Sequence, residues 1–218
     1  MGRNKQQRFA ANQANSNVLE AGKPLYETIK GQWHATQFKN EHPLVVELAC
    51  GRGEYTVGLA REFPEKNFVG VDIKGARIWK GSTIAMQEGL DNVAFLRTRI
   101  EGLESFFAPG ELREIWITFP DPRPRDRDIK RRLTSPRFLE MYRRLLPAEG
   151  WIHLKTDNAP LFDYTLEVLA ETAIKDLVHT HDLYNSPYAA DHKGIKTRYE
   201  EMFLAQGLPI HYLRFRFA

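Results

Sequence analysis

The chain has 218 residues, 42% of them hydrophobic, and a formal net charge of +3. That length carries one hydrophobic core without requiring a second. No run approaches the roughly 18 apolar residues of a membrane-spanning helix, and the amino terminus lacks the apolar segment of a secretory leader. The single cysteine, Cys50, leaves no internal disulfide framework, and the seven histidines follow no metal-ligand spacing. A cytoplasmic protein without a metal is expected.

Residues 1–20 are polar and lack a sustained apolar period, and the first 17 hold Arg3, Lys5 and Arg8 with no acid. They are expected to form a mobile basic arm ahead of one domain over 21–218. From Pro43 the pattern becomes regular. "LVVELAC" (44–50) is a short apolar strand, and "EYTVGLAREF" (54–63) carries apolar residues at helical spacing. "NFVGVDI" (67–73) is a strand and "ARIWKGSTIAMQEG" (76–89) a helix closed by Gly89. "VAFLRT" (93–98), a short "EGLESFF" and the strand "EIWITF" (114–119) follow. After a charged loop, "SPRFLEMYRRLL" (135–146) predicts a helix with Ser135 as N-cap and Pro136 in its first turn. "GWIHLKTD" (150–157), "APLFDYTLEVLAETA" (159–173), "IKDLVHTHDLY" (174–184), "TRYEEMFLAQG" (197–207) and "PIHYLRFRF" (209–217) continue the alternation.

Seven strands alternating with helices of about ten to fifteen residues predict βαβ crossovers. The expected fold is α/β, with a mostly parallel sheet covered by helices on both faces. The closing strands lack a clear crossover, so an antiparallel edge is expected. Ligands of such sheets bind beyond the carboxyl ends of the strands, near the reversal of strand order.

Four strand ends carry residues suited to chemistry. After the first, Gly51 and Gly53 lie between strand and helix, where missing side chains let a ligand approach the backbone. A tight connection has the same appearance. The third glycine of the dinucleotide fingerprint is absent, with Thr56 in its place, and there is no GK[ST] phosphate loop. After the second, Asp72 stands where a carboxylate takes both hydroxyls of a ribose, or where it caps the next helix. The pair fits NAD or S-adenosylmethionine. Glu47, a charge inside an apolar strand, favours the latter: a buried carboxylate is costly unless paired, and this cofactor brings an ammonium and a sulfonium. At the third end, Arg99 or Ile100 offers a backbone amide to an adenine edge, with Glu101 nearby. At the fourth, Pro120 and Pro122 restrict the backbone around Asp121. A carboxylate held there is a candidate for chemistry, the competing reading being a plain turn residue.

Residues 123–132 then hold six basic and two acidic side chains, which leaves the rest of the chain at −1. Such concentration is what a polyanion partner would leave in a sequence, the competing reading being a merely solubilising charge run. Arg123, Arg125, Arg127, Lys130, Arg131 and Arg132 form an array for phosphates. Asp126 and Asp128 either orient these arginines or simply lie on the surface.

On "VELACGRGEY", "FVGVDIKG", "FPDPRPRDRDIKRRLTSPRF", "HLKTDN" and "TRYEEMF", the chain resembles the bacterial tRNA (guanine-N7)-methyltransferases, from about residue 43 to its end. The resemblance implies a class I methyltransferase Rossmann-like fold, S-adenosyl-L-methionine as cofactor, and methylation of N7 of the variable-loop guanine of tRNA. It carries over Glu47, Asp72, Arg99 and Asp121 as cofactor positions. On the tRNA side it carries over Arg125, Asp157 and the stretch Thr197, Arg198, Tyr199, Glu200. The chain departs from the family pattern with Arg123 for Trp, Arg125 and Asp126 for Lys, Asp128 for His, and Arg99 for Asp.

Guanine N7 has an in-plane lone pair and attacks without losing a proton, so alignment is the main demand. Positive charge arises on the base, and a fixed carboxylate favours it; Asp121 is the catalytic candidate. Asp157 is placed to accept from N1 and N2 of the base, Glu200 competes for that edge, and Thr197 offers a hydroxyl. Two rivals share some of these features. A methyltransferase of amines or proteins has the same cofactor half, but no aromatic follows Asp121 within the loop to stack on a flipped base. An RNA-binding module without activity explains the basic loop but not Glu47 and Asp72.

Overall fold

Eight strands share one sheet in the computed structural model, which describes residues 3–218. In chain order the elements are α1 (Arg3–Ala14), β1 (Val18–Leu19), β2 (Leu44–Leu48), α2 (Glu54–Glu62), β3 (Asn67–Val71), α3 (Gly75–Gln87) and β4 (Val93–Leu96). Then come β5 (Leu112–Thr118), α4 (Pro136–Leu145), β6 (Trp151–Thr156), α5 (Ala159–Ala170), β7 (Ile174–Thr180), α6 (Arg198–Ala205) and β8 (His211–Phe217). The spatial order is β1-β4-β3-β2-β5-β6-β8-β7. Only β8 runs antiparallel to its neighbours, β6 and β7. From β2 the chain winds outward through β3 and β4, then returns to β5 on the other side of β2. That reversal opens a crevice beyond the ends of β2 and β5.

β2 and β3 are buried along their whole length, as parallel strands covered on both faces must be. Alternate side chains feed two cores. Val46, Leu48, Val69, Ile115 and Ile117 meet Trp33, Phe107, Phe138 and Tyr142 on one face. Val45, Phe68, Phe95 and Trp116 meet Tyr55, Leu59 and Ile78 on the other. α4 buries Phe138, Leu139, Met141, Tyr142 and Leu145, one stripe at helical spacing. Pro136 opens it as expected, but the Ser135 hydroxyl donates to the Lys130 carbonyl instead of capping the helix.

The amino-terminal segment differs from expectation. Residues 3–14, expected within a mobile arm, form α1 and dock on α3, and β1 adds an eighth strand beside β4. Amides make the attachment. Asn12 Nδ2 donates to the Gly75 carbonyl and Asn15 Nδ2 to Ser82 Oγ, both at 2.8 Å, while Ser82 Oγ donates to Asn17 Oδ1. A helix fixed by side-chain amides has no apolar stripe to announce it. Residues 1 and 2 of the expected arm lie outside the described residues. The segment before Pro43 also contributes Trp33, buried and stacked on Phe107 at 5.2 Å, its indole N–H donating to the Phe106 carbonyl. Among the described residues no helix is long and apolar enough to cross a membrane.

Candidate functional site

A cavity of about 710 Å³ opens beyond the carboxyl ends of β2, β3 and β5. That volume suits a small-molecule cofactor. Its wall brings together Glu47, Gly51, Asp72 and Asp121 from three of the strand ends singled out above, and Thr197, Arg198 and Tyr199 from the start of α6. The backbone turns sharply here: Ala49 and Phe119, each just beyond a strand, have φ of +58° and +47°. Such left-handed geometry costs a non-glycine residue on the order of 1 kcal/mol or more and clusters at ligand sites.

Glu47 is 3% exposed. Its Oε2 accepts from the Thr56 amide at 2.8 Å and from the Thr56 hydroxyl, and its Oε1 accepts from the Thr118 hydroxyl. It forms no ion pair among the described residues. Burial pushes its pKa up to about 7, against the lowering pull of the Thr118 and Thr56 hydrogen bonds. A buried carboxylate on a cavity wall, oriented by three donors and lacking a cation, is built to receive one. Burial likewise raises the Cys50 thiol well above its usual value, so this cavity-lining cysteine stays neutral and inert.

Asp72 is oriented by backbone. Its Oδ2 accepts from the Gly51 amide at 3.0 Å and its Oδ1 from the Lys74 amide at 2.7 Å. Each oxygen keeps a lone pair for a hydroxyl, the capacity a ribose diol requires. Asp121 is exposed and held by Arg123, whose amide donates to Oδ1 and whose Nε pairs with Oδ2, both at 3.2 Å. The cavity volume, the unpaired Glu47 and the oriented Asp72 fit S-adenosylmethionine.

Several expected residues lie elsewhere. Gly53 is a packing glycine: added Cβ atoms at Gly53, Gly70 and Gly81 would meet the Phe95 ring at 2.5, 2.8 and 2.6 Å. Arg99 is exposed beside the turn Ile100–Ser105, and the Ile100 side chain packs on the core. Asp157 is half-buried at the end of β6, its carboxyl pushed up by burial, and it is absent from the cavity wall. Glu200 is fully buried. Its carboxylate accepts from Lys155 Nζ, at 2.7 Å on Oε1 and 3.0 Å on Oε2, and from the Tyr184 hydroxyl at 2.8 Å. A carboxylate so occupied has no place at the guanine edge. The Thr-x-x-Glu spacing is the sequence signature of a capping box, and Thr197 with Glu200 forms one.

The basic loop closes on itself in part. Asp128 is buried and pairs with Arg125 at 2.9 Å and Arg131 at 3.3 Å, so it orients arginines. Arg132 lies over the Tyr164 ring at 4.3 Å and donates to the Arg123 carbonyl. Arg127 and Lys130 are exposed and form no ion pair among the described residues. The sequence reading missed Thr118 and the Arg8–Trp79 pair on the cavity wall, and Lys155 beneath it. Lys155 was legible: His153 and Lys155 alternate with Ile152 and Leu154, which places two basic residues on one face of a central strand.

Residues 41–213 match the family described as putative methyltransferase. The chain is 53% identical, over all of its length and 99% of the other's, to a tRNA (guanine-N(7)-)-methyltransferase of Cytophaga hutchinsonii. It is 39% identical to the protein of that name from Listeria monocytogenes, over 88% of this chain and 87% of the other. Among solved structures, the 16S rRNA methyltransferase KamB superposes with a TM-score of 0.64 at 16% identity, over 93% of this chain and 99% of its own. A variant 16S rRNA (adenine(1408)-N(1))-methyltransferase from Catenulisporales acidiphilia, with cosubstrate SAM, gives 0.56 at 15% identity, over 85% and 89%. The likeness to these two is one of fold.

Glu47 makes stability depend on pH. Its folded pKa is raised, so its contribution is complete below the unfolded value of 4.5 and is lost as pH rises through about 7. At about 1.4 kcal/mol per tenfold, the loss is on the order of 3 kcal/mol. Glu47→Gln, without cofactor, is expected to melt like the parent near pH 4.5 and well above it at pH 8. Equal melting temperatures at pH 8 would show that Glu47 carries no buried charge.

Proposed function

We infer, because the chain belongs to the tRNA (guanine-N(7)-)-methyltransferase family, that this cavity is where a methyl group passes from S-adenosyl-L-methionine to N7 of a tRNA guanine. The variable loop supplies that guanine, and such a substrate places the enzyme in the cytoplasm. The observation that carries the reading is the convergence of Glu47, Asp72 and Asp121 on one cavity, with Glu47 in no ion pair among the described residues.

The cofactor, when bound, supplies a methyl group on a positively charged sulfur. Glu47 would hold a cationic group of it, and Asp72 the ribose hydroxyls. The N7 lone pair lies in the plane of the purine and needs no base, so the protein's work is to align the two partners. Asp121, anchored by Arg123, stands where a fixed negative charge favours the purine as it becomes positive. Tyr199, half-exposed on the opposite rim, offers a flat side chain to a base. Arg127 and Lys130 face solvent and are available to phosphates, joined by whatever Arg123, Arg125, Arg131 and Arg132 can spare from their internal partners.

Nuclease digestion and mass spectrometry of tRNA methylated by the protein tests the reading. 7-Methylguanosine from the variable loop is expected; methyl on an exocyclic amine, or none transferred, would overturn it. Arg127→Ala combined with Lys130→Ala is expected to weaken tRNA binding and to lower the log–log salt slope by somewhat under two units, at about 0.7–0.9 per phosphate contact. The affinity for S-adenosylmethionine should stay unchanged. An unaltered salt slope would remove both residues from the interface.

A further inference from the structure

A buried ion pair lies beneath the cavity without touching it. Lys155 and Glu200 are each 0% exposed, and the pair is completed by the Tyr184 hydroxyl and by the Thr197 amide, which donates to Glu200 Oε2 at 3.4 Å. Three segments distant in sequence meet there: the end of β6, the loop after β7, and the first turn of α6. Each member of the pair is joined to residues of one wall of the site. Lys155 is in register with Thr118, the residue that donates to Glu47, and its carbonyl accepts from the amide of the strained Phe119. Glu200 closes the capping box on Thr197, while the Arg198 amide is bound to Glu54 Oε2 at 2.9 Å. Thr197, Arg198 and Tyr199, fixed in this way, form the α6 side of the cavity wall together with Met202.

We propose that Lys155, Glu200 and Tyr184 are positioning residues for the methyl transfer, holding the Thr197–Tyr199 rim at the distance from Thr118 and Phe119 that tRNA guanine requires. The inference rests on the cavity being the transfer site, which the wild-type rate in the same assay checks separately. The exposed faces of Tyr199 and Arg198 do the touching; the ion pair fixes where they stand. A buried pair of this kind adds little net stability over a neutral pair of similar size, although breaking it from one side is costly. A rim displaced by about 1 Å costs on the order of a hundredfold in rate.

The experiment compares Lys155→Met, Glu200→Gln, their combination, and Tyr184→Phe in the full chain. Melting temperature, S-adenosylmethionine affinity, and kcat and KM for tRNA are measured on each. Each single change at the ion pair is expected to lower the melting temperature, and the combination to recover most of it. The combined variant should bind S-adenosylmethionine within about threefold of wild type, yet lose tenfold to a hundredfold in kcat/KM for tRNA. Tyr184→Phe removes one hydroxyl and should raise the tRNA KM a few-fold at a nearly unchanged melting temperature, with no further effect in the combined variant. Recovery of kcat/KM together with stability in the combined variant would make the pair scaffold only and overturn the proposal. So would a wild-type tRNA KM in Tyr184→Phe. A loss confined to Glu200→Gln, with Lys155→Met fully active on tRNA, would mean that Glu200 touches the base itself, and would equally overturn it.

Discussion

The site depends on one buried carboxylate that the protein orients but does not neutralise. Glu47 lies one residue before the end of an apolar strand at the reversal of strand order, where it is withdrawn from water and given three hydrogen-bond donors. Those donors leave its charge uncompensated, so the folded chain keeps it near neutrality until a cation arrives. Of the two threonines that hold it, Thr56 lies in the first turn of α2, and Thr118 closes β5 and lines the cavity. The left-handed turns at Ala49 and Phe119 carry the chain away from that carboxylate on either side, leaving room above it.

Around that point the sheet sorts its tasks by strand. β2 and β3 supply Glu47 and Asp72, the proposed cofactor contacts. β5 supplies Asp121 through the proline-bounded loop, and beyond it Arg127 and Lys130 reach solvent. β6 supplies nothing to the wall itself; its Lys155 fastens α6, which forms the opposite rim. A parallel sheet brings these residues to one edge because every crossover returns the chain to the same end. Its interior strands must be apolar on both faces, so a charge within them stands out.

That contrast decided what the sequence could reveal. The strands and covering helices over residues 44–217 were legible because their apolar periods have no other explanation, and Glu47 was legible because it interrupts one. α1 was not, since Asn12, Asn15 and Asn17 anchor it through amides that read as solvent-facing polarity. Gly53 was taken for a ligand position because a glycine that admits a cofactor and one that admits the Phe95 ring look alike in sequence. Glu200 was taken for a base contact although Thr-x-x-Glu already spelled a capping box, a local reading that its partners Lys155 and Tyr184 complete. Contacts between segments far apart in sequence, such as Lys155 crossing to α6, leave no periodic trace.

The central claim is that Glu47 waits, half-protonated near neutral pH, for the positive charge of the cofactor. Calorimetric titration of S-adenosylmethionine into the protein at pH 7, in buffers of different ionisation enthalpy, tests it most directly. With the carboxyl near pH 7, binding a cation should release about half a proton per site, making the observed enthalpy depend on the buffer, and Glu47→Gln should abolish that dependence. Binding whose enthalpy in the parent protein is the same in every buffer would contradict the account.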